Sequence, residues 1–73
     1  MKNDQITIVG KRIRELRNDK KLSQGELGKL LSVSQDTVSL WEQSKSLTSI
    51  EMILALSEIF GVSCDYLLGK TDY

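Results

Sequence analysis

Apolar residues recur along this chain at the three- and four-residue spacing that places side chains on one face of an α-helix. The repeat breaks at short polar segments, so it divides into five stretches. We predict helices at about Ile8–Lys20, Gln24–Leu31, Gln35–Gln43, Ser49–Phe60 and Cys64–Leu68. The predicted inward positions are Val9, Ile13, Leu16, Leu27, Leu30, Leu31, Val38, Trp41, Ile50, Ile53, Leu56 and Phe60.

Serine, threonine and glycine residues mark the ends of these stretches. The sequence SQGE, which begins at Ser23, has the form of a capping box, in which the first hydroxyl and the last carboxylate each accept from the other residue's backbone N–H. The sequence TSIE, which begins at Thr48, has the same form. Simpler N-caps are predicted at Ser34 and Ser63, and glycine stops at Gly61 and Gly69.

The connection between the second and third helices is the shortest in the chain. Only Ser32, Val33 and Ser34 separate Leu31 from Gln35, and three residues force two helices into a sharp angle. That geometry is typical of a helix-turn-helix, with Val33 filling the corner. An ordinary helical hairpin in an all-α core is the alternative, and the outer face of the third helix favours the first interpretation.

If Val38 and Trp41 point inward, the third helix exposes amide, hydroxyl and carboxylate groups together with a leucine. A helix that enters the DNA major groove reads bases with its N-terminal residues, and glutamine pairs well with adenine there. A carboxylate such as that of Asp36 accepts from cytosine N4 or, alternatively, only favours the positive end of the helix. The outward or flanking residues are Gln35, Asp36, Thr37, Ser39 and Leu40.

The charge is unevenly distributed, although the 73-residue chain is neutral overall. Residues 1–45 carry nine Lys/Arg and six Asp/Glu, whereas residues 46–73 carry one lysine and four acids. A basic half steers a phosphate backbone toward one end of a small domain, although a solvated basic face explains the same count. Backbone contacts are predicted on both sides of the third helix, at Gln24 and at Gln43, Ser44 and Lys45. For Lys45 the alternative is a solvated loop lysine without a DNA contact.

Composition excludes several classes of protein. One cysteine and no histidine give neither a disulfide nor a metal framework, so we expect no metal and no cofactor. No nucleophile–base pair is visible, and Cys64 is expected to be a small buried apolar residue, so we predict no catalytic residue and no enzyme. No apolar run reaches the roughly 20 residues of a membrane span. We therefore expect a cytoplasmic protein with no membrane partner.

Three sequence segments resemble the phage-repressor-like helix-turn-helix family, also called the Cro/repressor or XRE type. They are LSQGEL, VSQDTVSLWE and FGVSCDYLL, and the resemblance spans about Gly10 to Gly69. It implies an all-α, five-helix lambda-repressor-like DNA-binding domain that binds operator DNA as a dimer. It also implies that Gln24 contacts a phosphate and buttresses Gln35. The base-facing positions implied are Gln35, Asp36, Thr37, Ser39 and Leu40, and the backbone-facing ones are Gln43, Ser44 and Lys45.

The same resemblance assigns two charged residues to the interior. Arg17 and Glu42 are implied to form an ion pair between the first and third helices, so Arg17 is not counted as a DNA contact. Ser32 and Ser44 stand where the family usually has glycine, and Gly28 stands where alanine is usual. If the two serines need a positive φ, each adds about 1 kcal/mol of strain.

We divide the chain into an N-terminal arm (1–8), the helix-turn-helix domain (9–69) and a C-terminal tail (70–73). The expected function is a sequence-specific transcriptional regulator, a repressor, that binds double-stranded operator DNA as a homodimer. The resemblance implies a dimer interface near the fifth helix and the C-terminal end, with Tyr66, Leu68 and Tyr73 as candidates; core and tail positions are the alternative for these residues. The alternative is a protein-interaction module, antitoxin-like or an antirepressor partner, that uses the same exposed face. The chain ends soon after the domain, so we expect no sensor module and no small-molecule substrate.

Overall fold

The computed structural model describes residues 4–72, and the side chains from residue 7 onward. The described segment is all-helical, without a strand, which confirms the predicted all-α class. The helices are α1 (Asp4–Asp19), α2 (Gln24–Leu31), α3 (Gln35–Glu42), α4 (Ile50–Phe60) and α5 (Cys64–Leu67). None of them combines the length and the hydropathy that a membrane crossing requires.

The first helix starts earlier than predicted. It begins at Asp4 rather than at Ile8, so residues 4–7, which we expected to belong to an arm, are helical. No proline or glycine interrupts the chain between Asp4 and Val9, so the backbone continues the helix toward its N-terminus without a break. The other helix boundaries agree with the prediction to within one residue.

Serine hydroxyls cap four of the helices. At α2 the capping box is present: Ser23 Oγ accepts from Glu26 N, and Glu26 Oε1 accepts from Ser23 N at 2.7 Å. These bonds hold the pKa of Glu26 below its ordinary value. The capping box predicted at Thr48 is wrong, because the next residue, Ser49, has the extended backbone of an N-cap and its hydroxyl accepts from Met52 N.

One hydrophobic core lies between the five helices. It is formed by Val9, Ile13, Leu27, Leu31, Val38, Trp41, Ile53, Leu56, Phe60 and Leu67, with Val33 packed against its edge. Two predicted core residues are exposed instead, Leu30 at 58% and Ile50 at 78%. Helix α2 turns the pair Leu27 and Leu31 inward, which leaves Leu30 outside, and Ile50 is the first residue of α4 and extends beyond the core.

Within residues 4–72, three residues other than glycine adopt the left-handed conformation. Ser32 and Ser44 both have φ 61°, and Lys21 has φ 59°. The two serines therefore occupy the positive-φ positions where the resemblance predicted glycine. Their side chains carry the steric cost of that conformation, because Cβ approaches the following carbonyl oxygen. The strain lies at the chain reversals that begin and end the α3 region.

Replacing Ser32 with glycine should stabilise the domain. We expect the free energy of unfolding to rise by about 1 kcal/mol, because glycine adopts φ near +60° without the Cβ penalty. Urea denaturation monitored by circular dichroism measures the change. Ser63→Gly is the matched control, since Ser63 caps α5 from an extended backbone, and there the same replacement should destabilise by a few tenths of a kcal/mol. A loss of stability in Ser32→Gly would contradict the inference that the backbone of Ser32 is strained.

Arg12 connects the segment after α5 to α1. Its Nη1 donates to the carbonyl oxygens of Tyr66 and Thr71, the latter at 2.8 Å, and its Nη2 lies 3.6 Å from Asp72 Oδ1. The guanidinium carbon stands 4.2 Å from the centre of the Tyr66 ring, a cation–π geometry. These contacts join residues more than fifty positions apart, and they hold the end of the described chain against its first helix.

Candidate nucleic-acid interface

Helix α3 is anchored by its inner face and open on its outer face. Val38 is fully buried and Trp41 is 4% exposed, so both belong to the core as predicted. The helix packs against α1 on one side and α2 on the other. The turn that leads into it closes tightly on Gly28, where an added Cβ would lie 2.7 Å from the carbonyl oxygen of Val33. Glycine at this position therefore allows the sharp angle between α2 and α3.

The outer face of α3 carries the side chains that the sequence predicted there. Gln35, Asp36 and Leu40 are exposed, with Leu40 at 42%, whereas Thr37 and Ser39 are half-buried. Thr37 Oγ1 is 3.0 Å from Ser34 Oγ, so its hydroxyl takes part in the N-cap. Gln35 and Asp36 make no side-chain hydrogen bond within the described chain, which leaves their polar groups open to solvent or to a ligand.

Gln35 lies over the beginning of α2. Its Oε1 would be 3.6 Å from a Cβ placed on Gly25, in ordinary van der Waals contact. Gln24, which the resemblance implied as a buttress for Gln35, donates its Nε2 to Glu42 Oε1 at 3.1 Å, and no hydrogen bond joins the two glutamines in the described structure. Gln24 is therefore oriented by the interior carboxylate, and Gln35 packs against the neighbouring glycine.

The predicted backbone-facing residues lie at both ends of this surface. Gln24 is the first residue of α2, while Gln43, Ser44 and Lys45 follow α3 directly. Gln43 Nε2 donates to Ser39 Oγ at 2.6 Å, which ties one predicted backbone contact to one predicted base contact. Lys45 is exposed and forms no ion pair with the side chains of residues 7–72. The surface thus has a polar centre with amide and ammonium groups on its two flanks.

A buried carboxylate connects this surface to α1. Glu42 has a fully buried side chain, and both of its oxygens bond Arg17, whose Nε lies 2.6 Å from Oε2 and whose Nη2 lies 3.1 Å from Oε1. Arg17 Nη1 also donates to the carbonyl oxygen of Leu22 at 2.8 Å, in the loop before α2. The ion pair implied for Arg17 and Glu42 is therefore present, and it joins α1, α2 and α3.

The electrostatics of this cluster favour the ionised form of Glu42. Burial raises the pKa of the carboxyl, but hydrogen bonds from Arg17 and Gln24 and the charges of Arg17 and Arg14 outweigh it, so the pKa lies below its ordinary value. The hydrogen bond to Glu42 likewise raises the pKa of the Arg17 guanidinium. Both charges are retained at neutral pH, so the cluster is an ion pair and not a neutral network.

Sequence reasoning missed three residues that support this region. Gly10 of α1 faces the carbonyl oxygen of Trp41 so closely that a Cβ would overlap it, and Arg12 holds the segment after α5. Arg14 lies beside Glu42, with Nε 3.5 Å from Oε1. A glycine inside a helix costs about 1 kcal/mol relative to alanine, which is a signal that could have identified Gly10. No local pattern identifies the partners of the two arginines.

Comparison with known proteins identifies the arrangement. A helix-turn-helix family matches residues 13–67, which is most of the chain and includes α2, the turn and α3. The chain belongs to the helix-turn-helix family. The match confirms the resemblance to the Cro/repressor type that the segments LSQGEL and VSQDTVSLWE indicated.

This helix-turn-helix chain is similar to a phage repressor in both sequence and structure. Repressor protein C2 of Salmonella phage P22 is 43% identical over 61 residues, which are 84% of this chain and 28% of that protein. The chain therefore spans less than a third of that relative's length. A crystal structure of the P22 c2 repressor in complex with synthetic operator 9T superposes with a TM-score of 0.80 at 41% identity, covering 86% of this chain and 96% of that one.

A second solved structure has the same helix-turn-helix architecture. The restriction-modification controller protein C.AhdI of Aeromonas hydrophila superposes with a TM-score of 0.79 at 29% identity, covering 89% of this chain and 98% of that one. These superpositions confirm the lambda-repressor-like fold predicted from the sequence. Both superpositions cover most of this chain, so the overall helical arrangement is shared.

Proposed function

We propose that this domain is a sequence-specific DNA-binding transcriptional regulator, a repressor, that inserts α3 into the major groove of operator DNA. The observation that carries the proposal is the division of α3 into two faces. Val38 and Trp41 fix the inner face in the core, while Gln35, Asp36 and Leu40 protrude with their functional groups uncovered. A regulator of this kind works where the DNA is, so we assign it to the cytoplasm.

The comparisons support the same proposal. The P22 c2 repressor, which superposes over most of the chain, was solved in complex with a synthetic operator, and its name is that of a repressor. In the proposed complex the base-facing side chains are Gln35, Asp36, Thr37, Ser39 and Leu40. Gln24, Gln43, Ser44 and Lys45 contact the DNA backbone on the two sides of the groove. Gln35 pairs with adenine, and Leu40 contacts a thymine methyl group.

We propose that the DNA-binding form is a homodimer that reads two half-sites about one helical turn apart, roughly 34 Å. Tyr66 and Leu68 are half-buried, and Arg12 stacks on the Tyr66 ring, so only part of each side chain is available to a partner. Tyr73, the third residue predicted for this interface, lies outside the described residues. A dimer formed at α5 leaves both copies of α3 free for the groove.

Selection of bound duplexes from a random pool tests the proposed function. The protein should enrich one motif, and Gln35→Ala should change the preferred base at one position, at a cost of about 1–3 kcal/mol in binding free energy. Lys45→Ala is the matched variant, because loss of a phosphate contact should weaken all duplexes alike and leave the motif unchanged. Two variants that select the original motif with the original affinity would refute the assignment of these residues.

A protein-interaction module is the competing function, and one observation favours it. Leu40 and four other large apolar side chains are exposed, among them Leu47 at 70%. The dependence of binding on salt concentration distinguishes the two functions. Binding to DNA should weaken steeply as salt rises, because each neutralised phosphate releases counterions, whereas an apolar protein interface should respond little.

A further inference from the structure

One cation beside the proposed interface has no counterion of its own. Arg14 lies one helical turn before Arg17 on α1, and its side chain is 55% exposed. Its Nε lies 3.5 Å from Glu42 Oε1, and it has no other ion-pair partner among residues 7–72, whose side chains are described. The contact with Glu42 is an ion pair at longer range, since the distance exceeds that of an ordinary N–H···O hydrogen bond.

The carboxylate of Glu42 does not need Arg14. Arg17 binds both of its oxygens, at 2.6 and 3.1 Å, and Gln24 Nε2 donates to Oε1 at 3.1 Å. One guanidinium therefore compensates the negative charge, and the two oxygens together accept three hydrogen bonds without Arg14. The positive charge of Arg14 remains in excess at this point on the surface, where more than half of the side chain is in solvent.

The position of Arg14 suits a phosphate. Arg14 and Gln24 approach the same oxygen of Glu42, so they are neighbours at the beginning of α2. The capping box uses the N–H groups of Ser23 and Glu26. A helix leaves its first N–H groups without a partner inside the helix, so the amides of Gln24 and Gly25 remain for an anion. The Arg14 guanidinium thus lies beside the side-chain amide of Gln24, the residue at which these backbone N–H groups begin.

We propose that Arg14 is a further phosphate-contacting residue, which leaves Glu42 on DNA binding and holds a backbone phosphate together with Gln24 and the N-terminus of α2. The inference rests on the proposed function, because it assigns one more contact to the same interface. It adds a cation to the Gln24 side of the groove, opposite Lys45. Each operator half-site is then held by one positive charge on either side of α3.

The salt dependence of binding tests this role. With the duplex selected above, Arg14→Gln should reduce the slope of log K against log salt by about 0.9, the value for one lost phosphate contact. All duplexes should weaken alike, and the melting temperature should remain close to that of the unaltered protein. Arg14→Lys keeps the charge and should keep the slope. Lys70→Gln, which removes the same charge beyond α5, is the matched control and should leave the slope unchanged.

Each other outcome has a defined meaning. An unchanged slope in Arg14→Gln, or an equal reduction in Lys70→Gln, overturns the role of Arg14 and leaves the proposed function standing. A large fall in melting temperature with the slope intact assigns Arg14 to the interior cluster and also overturns it. If the unaltered protein selects no duplex, the proposed function fails, and the role of Arg14 fails with it.

Discussion

Replacing Arg17 with alanine should lower the free energy of unfolding by about 3–5 kcal/mol, the usual cost of removing one partner from a buried ion pair. The Glu42 side chain is fully buried, so the variant leaves a carboxylate without its main partner inside the protein. The variant also removes the hydrogen bond from Arg17 to the carbonyl oxygen of Leu22, which holds the loop before α2. Thermal melting and urea denaturation at neutral pH measure the loss.

A double variant separates the ion pair from general damage to the core. Arg17→Met with Glu42→Leu removes both charges and keeps apolar volume at both positions, and such replacements are often neutral or stabilising. We expect the double variant to be more stable than Arg17→Ala. An unchanged melting midpoint in Arg17→Ala would show that the pair contributes nothing, and it would contradict the role derived from its geometry.

The same ion pair makes stability depend on acid. The folded protein holds the pKa of Glu42 below its ordinary value, so the unfolded chain binds a proton more readily than the folded one. The stabilisation is complete above the unfolded carboxyl pKa, about 4.3, and is lost as pH falls through the lower folded value. Glu42→Gln should flatten this acid dependence, apart from the part due to Glu26, whose pKa is also lowered.

Replacing Gly10 with alanine should destabilise the domain by about 3 kcal/mol, at the upper end of the range for overpacking. The added Cβ would overlap the carbonyl oxygen of Trp41 and lie 3.2 Å from that of Glu42, and both are backbone atoms at the end of α3. Helix propensity favours alanine by about 1 kcal/mol, but it does not offset a displaced helix. The melting temperature should fall by more than about 10 °C in a domain of this size.

Gly25→Ala is the matched control for this prediction. A Cβ at Gly25 would have its nearest neighbour at 3.6 Å, an ordinary contact, so the same substitution should be neutral or slightly stabilising. Because α3 itself must move in Gly10→Ala, binding of the selected duplex should also weaken in the fraction that remains folded. If Gly10→Ala melts at the temperature of the unaltered protein, the two helices do not cross at this glycine.

The features that the sequence predicts well are local ones. The bounds of α2 agree residue for residue, and the Ser23 capping box forms as predicted, because spacing and capping depend on neighbours within one turn. The polar outer face of α3 follows from the same logic, since burying Val38 and Trp41 leaves Gln35 and Asp36 outside. The prediction of the ion pair between Arg17 and Glu42 came from the resemblance to the family, because the hydrophobic periodicity does not indicate it.

The features that the sequence does not predict depend on packing between distant segments. Leu30 has the spacing of a core residue, yet the direction in which α2 faces its neighbours leaves it exposed. Thr48 resembles a helix cap, but the backbone turns one residue later, and its hydroxyl is buried without a hydrogen bond in the described structure. Arg12 and Arg14 are ordinary basic residues of an amphipathic helix until their partners from other helices are known.

The contact made by Arg12 has a consequence for how the domain joins other polypeptide. Arg12 donates to the carbonyl oxygen of Thr71, and an added Cβ on Gly69 would lie 2.8 Å from Ile8 Cγ2, so the segment after α5 lies against α1. A polypeptide joined after residue 72 would therefore leave the domain beside α1. The direction of such a linker is set by Arg12, because this one side chain holds both Thr71 and Asp72.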